Sequence, residues 1–150
     1  MDYKYIKGEE LNLKLVLKLR DNYYYGMHRN SDNALVGHCE LRCEDNYDNK
    51  YLGNIGYEVF ENYQGNNYAY KASELLGKLA YDLGMTKLKL TCRPNNEPSI
   101  RTIEKLPVKF IDVVKVPRDT VLYKQGDRYL KIYEWNLKKE GEKNDRHQIN

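Results

Sequence analysis

Residues 61–84 read ENYQGNNYAYKASELLGKLAYDLG, and the way this stretch divides decides the fold. Ala69, Ala72, Leu76, Leu79 and Leu83 recur at steps of three and four, which places them on one face of a helix. Lys71, Ser73, Glu74 and Lys78 fall largely on the other side. The spacing predicts an amphipathic helix over Tyr68–Leu83 of roughly four turns, closed by Gly84, which tolerates a positive φ just past the last turn. An apolar strand pattern, Gly53–Phe60, precedes it through a turn at Gln64–Asn67. The helix start has no Ser, Thr or Asp cap beyond Asn66 and Asn67, so its first N–H groups lack acceptors, and Gly65 lets a ligand approach the backbone. Such a junction offers N–H donors and the positive end of a helix dipole to a phosphate.

Working outward, Leu11–Leu19 alternates strictly: Leu11, Leu13, Leu15, Leu17 and Leu19 against Asn12, Lys14, Val16 and Lys18, the pattern of a half-buried strand. Asp21-Asn22 reads as a turn into a second strand near Tyr23–Arg29, and Ser31-Asp32-Asn33 as another turn. The strand Ala34–Glu44 sets Leu35, Gly37, Cys39, Leu41 and Cys43 against Val36, His38, Glu40 and Arg42. That polar row has two readings: a solvated or salt-bridged face, or a face on which His38 and Glu40 meet a substrate. Asp45–Lys50 reads as a polar hairpin loop, and Ile55, Tyr57 and Val59 of the fourth strand face the core. Beyond the helix, Lys87–Arg93 alternates again. Asn96 is a good N-cap for a helix over Pro98–Leu106 with Ile100, Ile103 and Leu106 on its apolar face. Val108–Val116 and Arg128–Leu137 are the last strands, and 138–150 reads as a polar, solvated tail. His147 belongs to that tail rather than to a metal site.

A chain of 150 residues is the size of one domain, here 1–137. Its 41% apolar and 31% charged residues describe a soluble globular protein. The absence of a long apolar run or a leader pattern argues against a membrane partner and makes the cytoplasm the expected compartment. A net charge of +3 is too small and too interspersed to argue for nucleic acid, though it suits an anionic ligand. The 15 tyrosines fit compositional bias and carry little functional weight. Cys39 and Cys43 lie four apart on one strand, roughly 13 Å from each other, too far for a disulfide or a shared metal. With Cys92 they are expected to be reduced and mostly buried thiols.

The segment Gln64-Gly65-Asn66-Asn67-Tyr68-Ala69 resembles the acyl-CoA pyrophosphate loop of the GNAT superfamily of N-acetyltransferases, Gln/Arg-x-x-Gly-x-Gly/Ala. Five positions fit, and Asn67 stands where the family has Gly; Asn is the non-glycine residue that best accepts left-handed geometry. A second segment, NEPSIRTIEKL from Asn96 to Leu106, resembles the Asn-x-x-Ser…Glu-Lys-Leu-Gly-Phe run of the branch that includes ribosomal-protein alanine acetyltransferases. The resemblance covers roughly residues 35 to 137. It implies an α/β (α+β) fold: a strongly twisted, mixed, mainly antiparallel sheet flanked by helices. GNAT domains place two helices between their first two strands; no room for them exists here, so that side of the sheet is expected to be open or covered by a second subunit in a homodimer.

The same resemblance implies transfer of an acetyl group from acetyl-CoA to a primary amine by direct attack in a ternary complex. The acceptor, whether a protein N-terminus, a lysine or a small molecule, is not read from these residues. Tyr57, Val59, Gln64, Gly65, Asn66, Asn67, Tyr68, Ala69, Asn96 and Ser99 take the cofactor-binding positions. Glu58 takes the position of the carboxylate that deprotonates the acceptor, its alternative reading being an ordinary exposed strand residue. The tyrosine that protonates the departing thiolate in many members is replaced by Ile103, with Tyr123 and Tyr133 as substitute donors; the family's Gly after Lys-Leu is Pro107. A thiol of pKa near 8.5 can leave without strong acid help. These departures leave a second reading open, a GNAT-shaped module that binds acyl-CoA or a partner protein without catalysis.

Overall fold

The computed structural model describes residues 1–138, and its first strand, β1 (Tyr5–Lys7), is too short for a pattern to announce. It pairs with β2 (Leu11–Leu19), followed in order by β3 (Asn22–Arg29), β4 (Leu35–Arg42) and β5 (Ile55–Val59), every neighbour antiparallel. The β2–β3 turn is Arg20-Asp21, one residue earlier than expected, because Leu19 pairs with Asn22 and Arg20 takes a φ of 55°. No helix interrupts the chain from β1 to β4.

Two bulges break the alternation expected of the sheet. The register of β2 on β3 shifts between Leu15 and Leu17, so Val16 is an inserted residue. Leu11 and Leu13 lie in the core, whereas Val16, Leu17 and Leu19 are 73%, 50% and 55% exposed. An extra residue reverses which parity faces inward; the five leucines therefore do not share one buried face. A second shift, between Met27 and His28, inserts a residue near Val36 in β4 and buries Val36 while leaving Leu35 outside.

Helix α1 (Asn49–Leu52) is a single turn that begins within Asp45–Lys50, the stretch expected to be only loop, and continues past it. A short 3-10 turn, Glu61–Tyr63, leads from β5 to α2 (Tyr68–Asp82), which packs Ala72, Leu75, Leu76, Leu79 and Ala80 on the first sheet. Ser73, expected outside, is fully buried; its hydroxyl donates to the Ala69 carbonyl at 2.8 Å, which removes the cost of burying it. Gly84 closes the helix at φ +92°, and the Met85 N–H reaches back to the Ala80 carbonyl. The second sheet is formed by β6 (Lys87–Cys92), β7 (Val108–Lys115) and β8 (Tyr129–Asn136) in the order β6-β8-β7, all antiparallel. Helix α3 (Glu97–Glu104) leaves β6, and one turn, α4 (Val121–Lys124), precedes β8. The expected tail lies outside the described residues after Lys138, as does His147.

The two sheets meet at Asn54. Its N–H donates to the Lys89 carbonyl at 2.7 Å and its Oδ1 accepts from the Lys89 N–H at 2.6 Å. On the other side its Nδ2 donates to the Arg42 carbonyl at 2.8 Å, and its carbonyl accepts from the Arg42 N–H at 2.6 Å. Beyond this vertex β5 and β6 share no ladder, and each is the edge of its own sheet.

Candidate active site

The parted edges of β5 and β6 enclose a cleft of about 270 Å³, lined by Tyr57 and Gly56 from β5, Leu90 and Cys92 from β6, and Asn96, Ser99 and Ile103 at α3. On the face of the first sheet that no other described element covers lies a wider recess of about 540 Å³, lined by Val16, Tyr24, His38, Glu40 and Glu58. Arg42, Gly56 and Tyr57 line both cavities, so the two adjoin across β5.

Strand alternation explains how β5 serves two cavities. Ile55, Tyr57 and Val59 point toward the core side, while Glu58 points to the open face opposite His38, its cross-strand partner. The His38 ring meets Phe60 edge-on at 5.1 Å. The Tyr57 hydroxyl shares a 2.8 Å hydrogen bond with Ser99 Oγ, tying β5 to α3 across the cleft. Burial pushes the Tyr57 phenol above its ordinary pKa, with the Ser99 hydrogen bond opposing that rise. The group therefore stays protonated at neutral pH. Asn96 caps α3, its Oδ1 accepting from the Ser99 N–H at 3.2 Å.

The turn before α2 has the geometry its residues favour. Gly65 has φ +89° and open space where a Cβ would project; Asn67 is left-handed at φ 60°. Gln64 Nε2 donates to the Val59 carbonyl at 3.1 Å and Asn66 Nδ2 to the Tyr63 carbonyl at 2.9 Å, so both side chains brace the loop. Among the described residues no side chain caps α2, and the first of its bonds runs from the Lys71 N–H to the Asn67 carbonyl. The N–H groups of Tyr68, Ala69 and Tyr70 have no acceptor among the described residues. This donor set, at the start of a 15-residue helix, fits a diphosphate. The Lys105 ammonium, bonded to Asn67 Oδ1, adds positive charge at the same terminus.

Of the residues proposed from sequence, Tyr57, Asn96 and Ser99 meet in the cleft, Gln64 through Ala69 meet at the head of α2, and Glu58 lies in the adjoining recess. Tyr123 is not brought to either cavity. Its ring carries the Arg128 guanidinium at 3.7 Å, and Leu122 is the α4 residue that lines the cleft. Tyr133 donates to Glu104 at 2.8 Å behind α3. Arg42, which the sequence places in a solvated or salt-bridged polar row, is salt-bridged: its guanidinium donates to Glu40 Oε1 at 3.1 Å and to the Leu52 and Gly53 carbonyls at 3.1 Å each. A Cβ on Gly56 would come within 2.5 Å of Arg42 Nη2 and 3.0 Å of Glu40 Oε1, so the ion pair lies flat across that glycine. A glycine inside a strand was the signal for such an approach. Among the described residues there is no cluster of metal-ligating side chains, and no helix is long and apolar enough to cross a membrane.

Two parted sheets, a bare helix head and a carboxylate on the far side of β5 make up the candidate site. Residues 4–109 match the family described as acetyltransferase (GNAT) domain, and the chain belongs to that family, whose members use acetyl-CoA. Its fold is similar to that of a GNAT-family acetyltransferase from Bacillus anthracis, at 18% identity over 90% of this chain and 99% of the other, with a TM-score of 0.67. The ribosomal-protein-S5-alanine acetyltransferase from Vibrio fischeri is similar at 11% identity over 89% and 96% of the two chains, with a TM-score of 0.67. The microcin C7 self-immunity acetyltransferase, solved with acetyl-CoA and AMP, is similar at 18% identity over 77% of this chain and 61% of the other, with a TM-score of 0.58. No curated protein matches the sequence.

Proposed function

We propose that this protein transfers the acetyl group of acetyl-CoA to a primary amine by direct attack in a ternary complex formed on one domain, 1–137. The observation that carries the reading is the pair of cavities that adjoin at Gly56 and Tyr57, one walled by Asn96 and Ser99 at the start of α3 and one beside Glu58. Acetyl-CoA supplies an acyl group activated as a thioester. The amides of Tyr68, Ala69 and Tyr70, with Gly65 and Asn67 shaping the turn and Lys105 adding charge, hold the diphosphate. Val59, whose carbonyl Gln64 braces, ends the free edge of β5 that takes the arm of the donor, and Asn96 and Ser99 line the opposite wall.

Glu58 accepts a proton from the acceptor ammonium, since only the neutral amine has a lone pair with which to attack. The proximity of donor and acceptor across one strand supplies much of the acceleration. The two free thiols that are buried, Cys39 and Cys92, and the half-buried Cys43 support a reducing compartment such as the cytoplasm. A non-catalytic acyl-CoA-binding module is favoured by one observation: Ile103 lines the cleft where a proton donor would stand, and Tyr123 is held elsewhere by Arg128.

One experiment separates the readings. Acetyl-CoA is titrated calorimetrically into the wild type, Gly65→Trp and Glu58→Gln, and thiol release is followed with a panel of amines. Binding and turnover lost together in Gly65→Trp, but binding kept and turnover reduced at neutral pH in Glu58→Gln, is the expected result. Binding without thiol release from any amine would leave the binding module; no binding by the folded wild type would remove both.

A further inference from the structure

The bulge at Val16 has placed apolar side chains where a half-buried strand should carry polar ones. Val16 and Leu17 both lie opposite Tyr24, and Leu19 lies opposite Asn22, on the side of the sheet away from α2. Lys18 marks the reversal, since its ammonium turns to the other side and sits 5.3 Å from the centre of the buried Tyr23 ring. The outcome is an exposed apolar strip, with Val16 and Tyr24 already forming one wall of the recess that contains Glu58. Across the strands, Leu17 faces Tyr24, Tyr24 faces Glu40, and Glu40 faces Gly56. The strip thus runs without interruption into the proposed acceptor position.

The charge of the recess sets what can enter. Its lining carries two carboxylates, Glu40 and Glu58, and one guanidinium, Arg42. Arg42 is already committed to Glu40, whereas Glu58 has no ion-pair partner among the described residues. One negative charge remains to be met by one ammonium. A polyamine or amino sugar would bring further cations onto Val16, Leu17 and Tyr24, where nothing compensates them. Among the described residues no element covers the recess on this face of the first sheet, so a small apolar amine there would keep much of its surface in water; small ligands draw their affinity from burial of most of their surface. A chain can gain contact by length instead.

We propose that Val16, Leu17, Leu19 and Tyr24 select the acceptor, and that they fit a polypeptide whose free amine is followed by apolar side chains. This rests on the transferase reading given above. The amine lies beside Glu58 and His38, and the chain crosses β4 and β3 toward β2. Two strand spacings separate Glu40 from Leu17, roughly 10 Å, which about three residues of extended polypeptide span. Alternate side chains of that segment therefore fall over Tyr24 and over the Val16–Leu17 pair.

The test uses the full chain and three acceptors: a peptide with a free α-amine followed by alternating leucines, the same peptide with aspartates for the leucines, and spermidine. Thiol release from acetyl-CoA is expected to favour the leucine peptide at least tenfold in kcat/KM. The double variant Val16→Asp, Leu17→Asp, folded by circular dichroism, is expected to raise KM for that peptide about tenfold while leaving kcat and acetyl-CoA affinity unchanged; Leu19→Asp provides a second, independent perturbation. Anisotropy of the labelled leucine peptide, measured without acetyl-CoA, reads the surface apart from the chemistry. Peptide binding that is lost in the variants, with no thiol release, would support this surface while sinking the transferase reading. Equal use of the three acceptors, a preference for spermidine, or leucine-peptide binding that survives in both variants would overturn the inference.

Discussion

Tyr57 and Ser99 are 42 residues apart in the chain, yet their hydroxyls meet at 2.8 Å across the cleft between β5 and α3. This bond is the direct side-chain link between the strand that presents Glu58 and the helix that closes the donor side. Tyr57→Phe removes it and leaves the Ser99 hydroxyl without that partner. The expected loss is about 1 kcal/mol of unfolding free energy. Acetyl-CoA affinity is expected to fall about fivefold, the factor equivalent to that energy. Urea unfolding and calorimetric titration check the two; unchanged values in both would show that the bond is incidental.

Gly56→Ala probes the ion pair that separates the two cavities. The new methyl would lie 2.5 Å from Arg42 Nη2 and 3.0 Å from Glu40 Oε1, so the guanidinium must lift off β5. A stability loss of about 1–3 kcal/mol is expected, together with impaired turnover. A variant as stable as the wild type would mean that Arg42 shifts freely and does not shape the partition.

Gly77→Ala sets two known effects against each other. Gly77 is in the interior of α2, where alanine is normally worth about 1 kcal/mol of helix stability. Here its Cβ would come within 2.3 Å of the buried Trp135 ring, a rigid group at 8% exposure. Overpacking typically costs 1–3 kcal/mol, so the variant is expected to be destabilised despite better helix propensity. A higher urea midpoint with an unchanged slope would contradict this.

The cysteines make a pH prediction. Burial pushes the Cys43 thiol from its ordinary value near 9 up to about 11, and raises Cys39 and Cys92 as well. For an acid whose folded pKa is raised, the stabilising contribution is complete below the unfolded value and disappears as pH climbs through the folded one. Stability is therefore expected to be flat in this respect below about pH 8.5 and to fall between there and pH 11. Thiol labelling at pH 8 should be slow and should track unfolding. Rapid labelling of all three thiols in the native state would refute the assignment.

The parts of the fold that could be read from the chain were those with long, regular spacing or a side chain specific to a local geometry. The helix Tyr68–Asp82, its Gly84 ending and the Asn96 cap of α3 are of this kind. What escaped was set by single residues or by distant partners. Nothing in LNLKLVLKL marks Val16 as an insertion, since the bulge is defined by its register on β3. Helices α1 and α4 have four residues each, less than is needed for an apolar period. Ser73 is buried because its hydroxyl finds a carbonyl within its own helix, which polarity alone does not foretell. In the candidate site, the loop residues 64–69 and the pair Asn96 and Ser99 were legible as segments. The salt-bridged reading of Glu40 and Arg42 was legible from strand alternation; their position across Gly56 and the Lys105–Asn67 contact were not, because each brings together residues whose proximity only the fold creates.

Asn54 gives the molecule the mechanics of a pair of calipers. Its backbone and side chain together hold Arg42 on one arm and Lys89 on the other. From that pivot β5 runs five residues to Val59, a lever of roughly 17 Å. An angular change too small to break any bond at the pivot is thereby magnified at the tip, where the arm must hand over to the Gln64 loop. The width of the jaws is governed by an amide side chain that touches neither of the molecules they are proposed to grip. Replacing Asn54 by leucine would leave every proposed contact residue in place and loosen the gauge that spaces them.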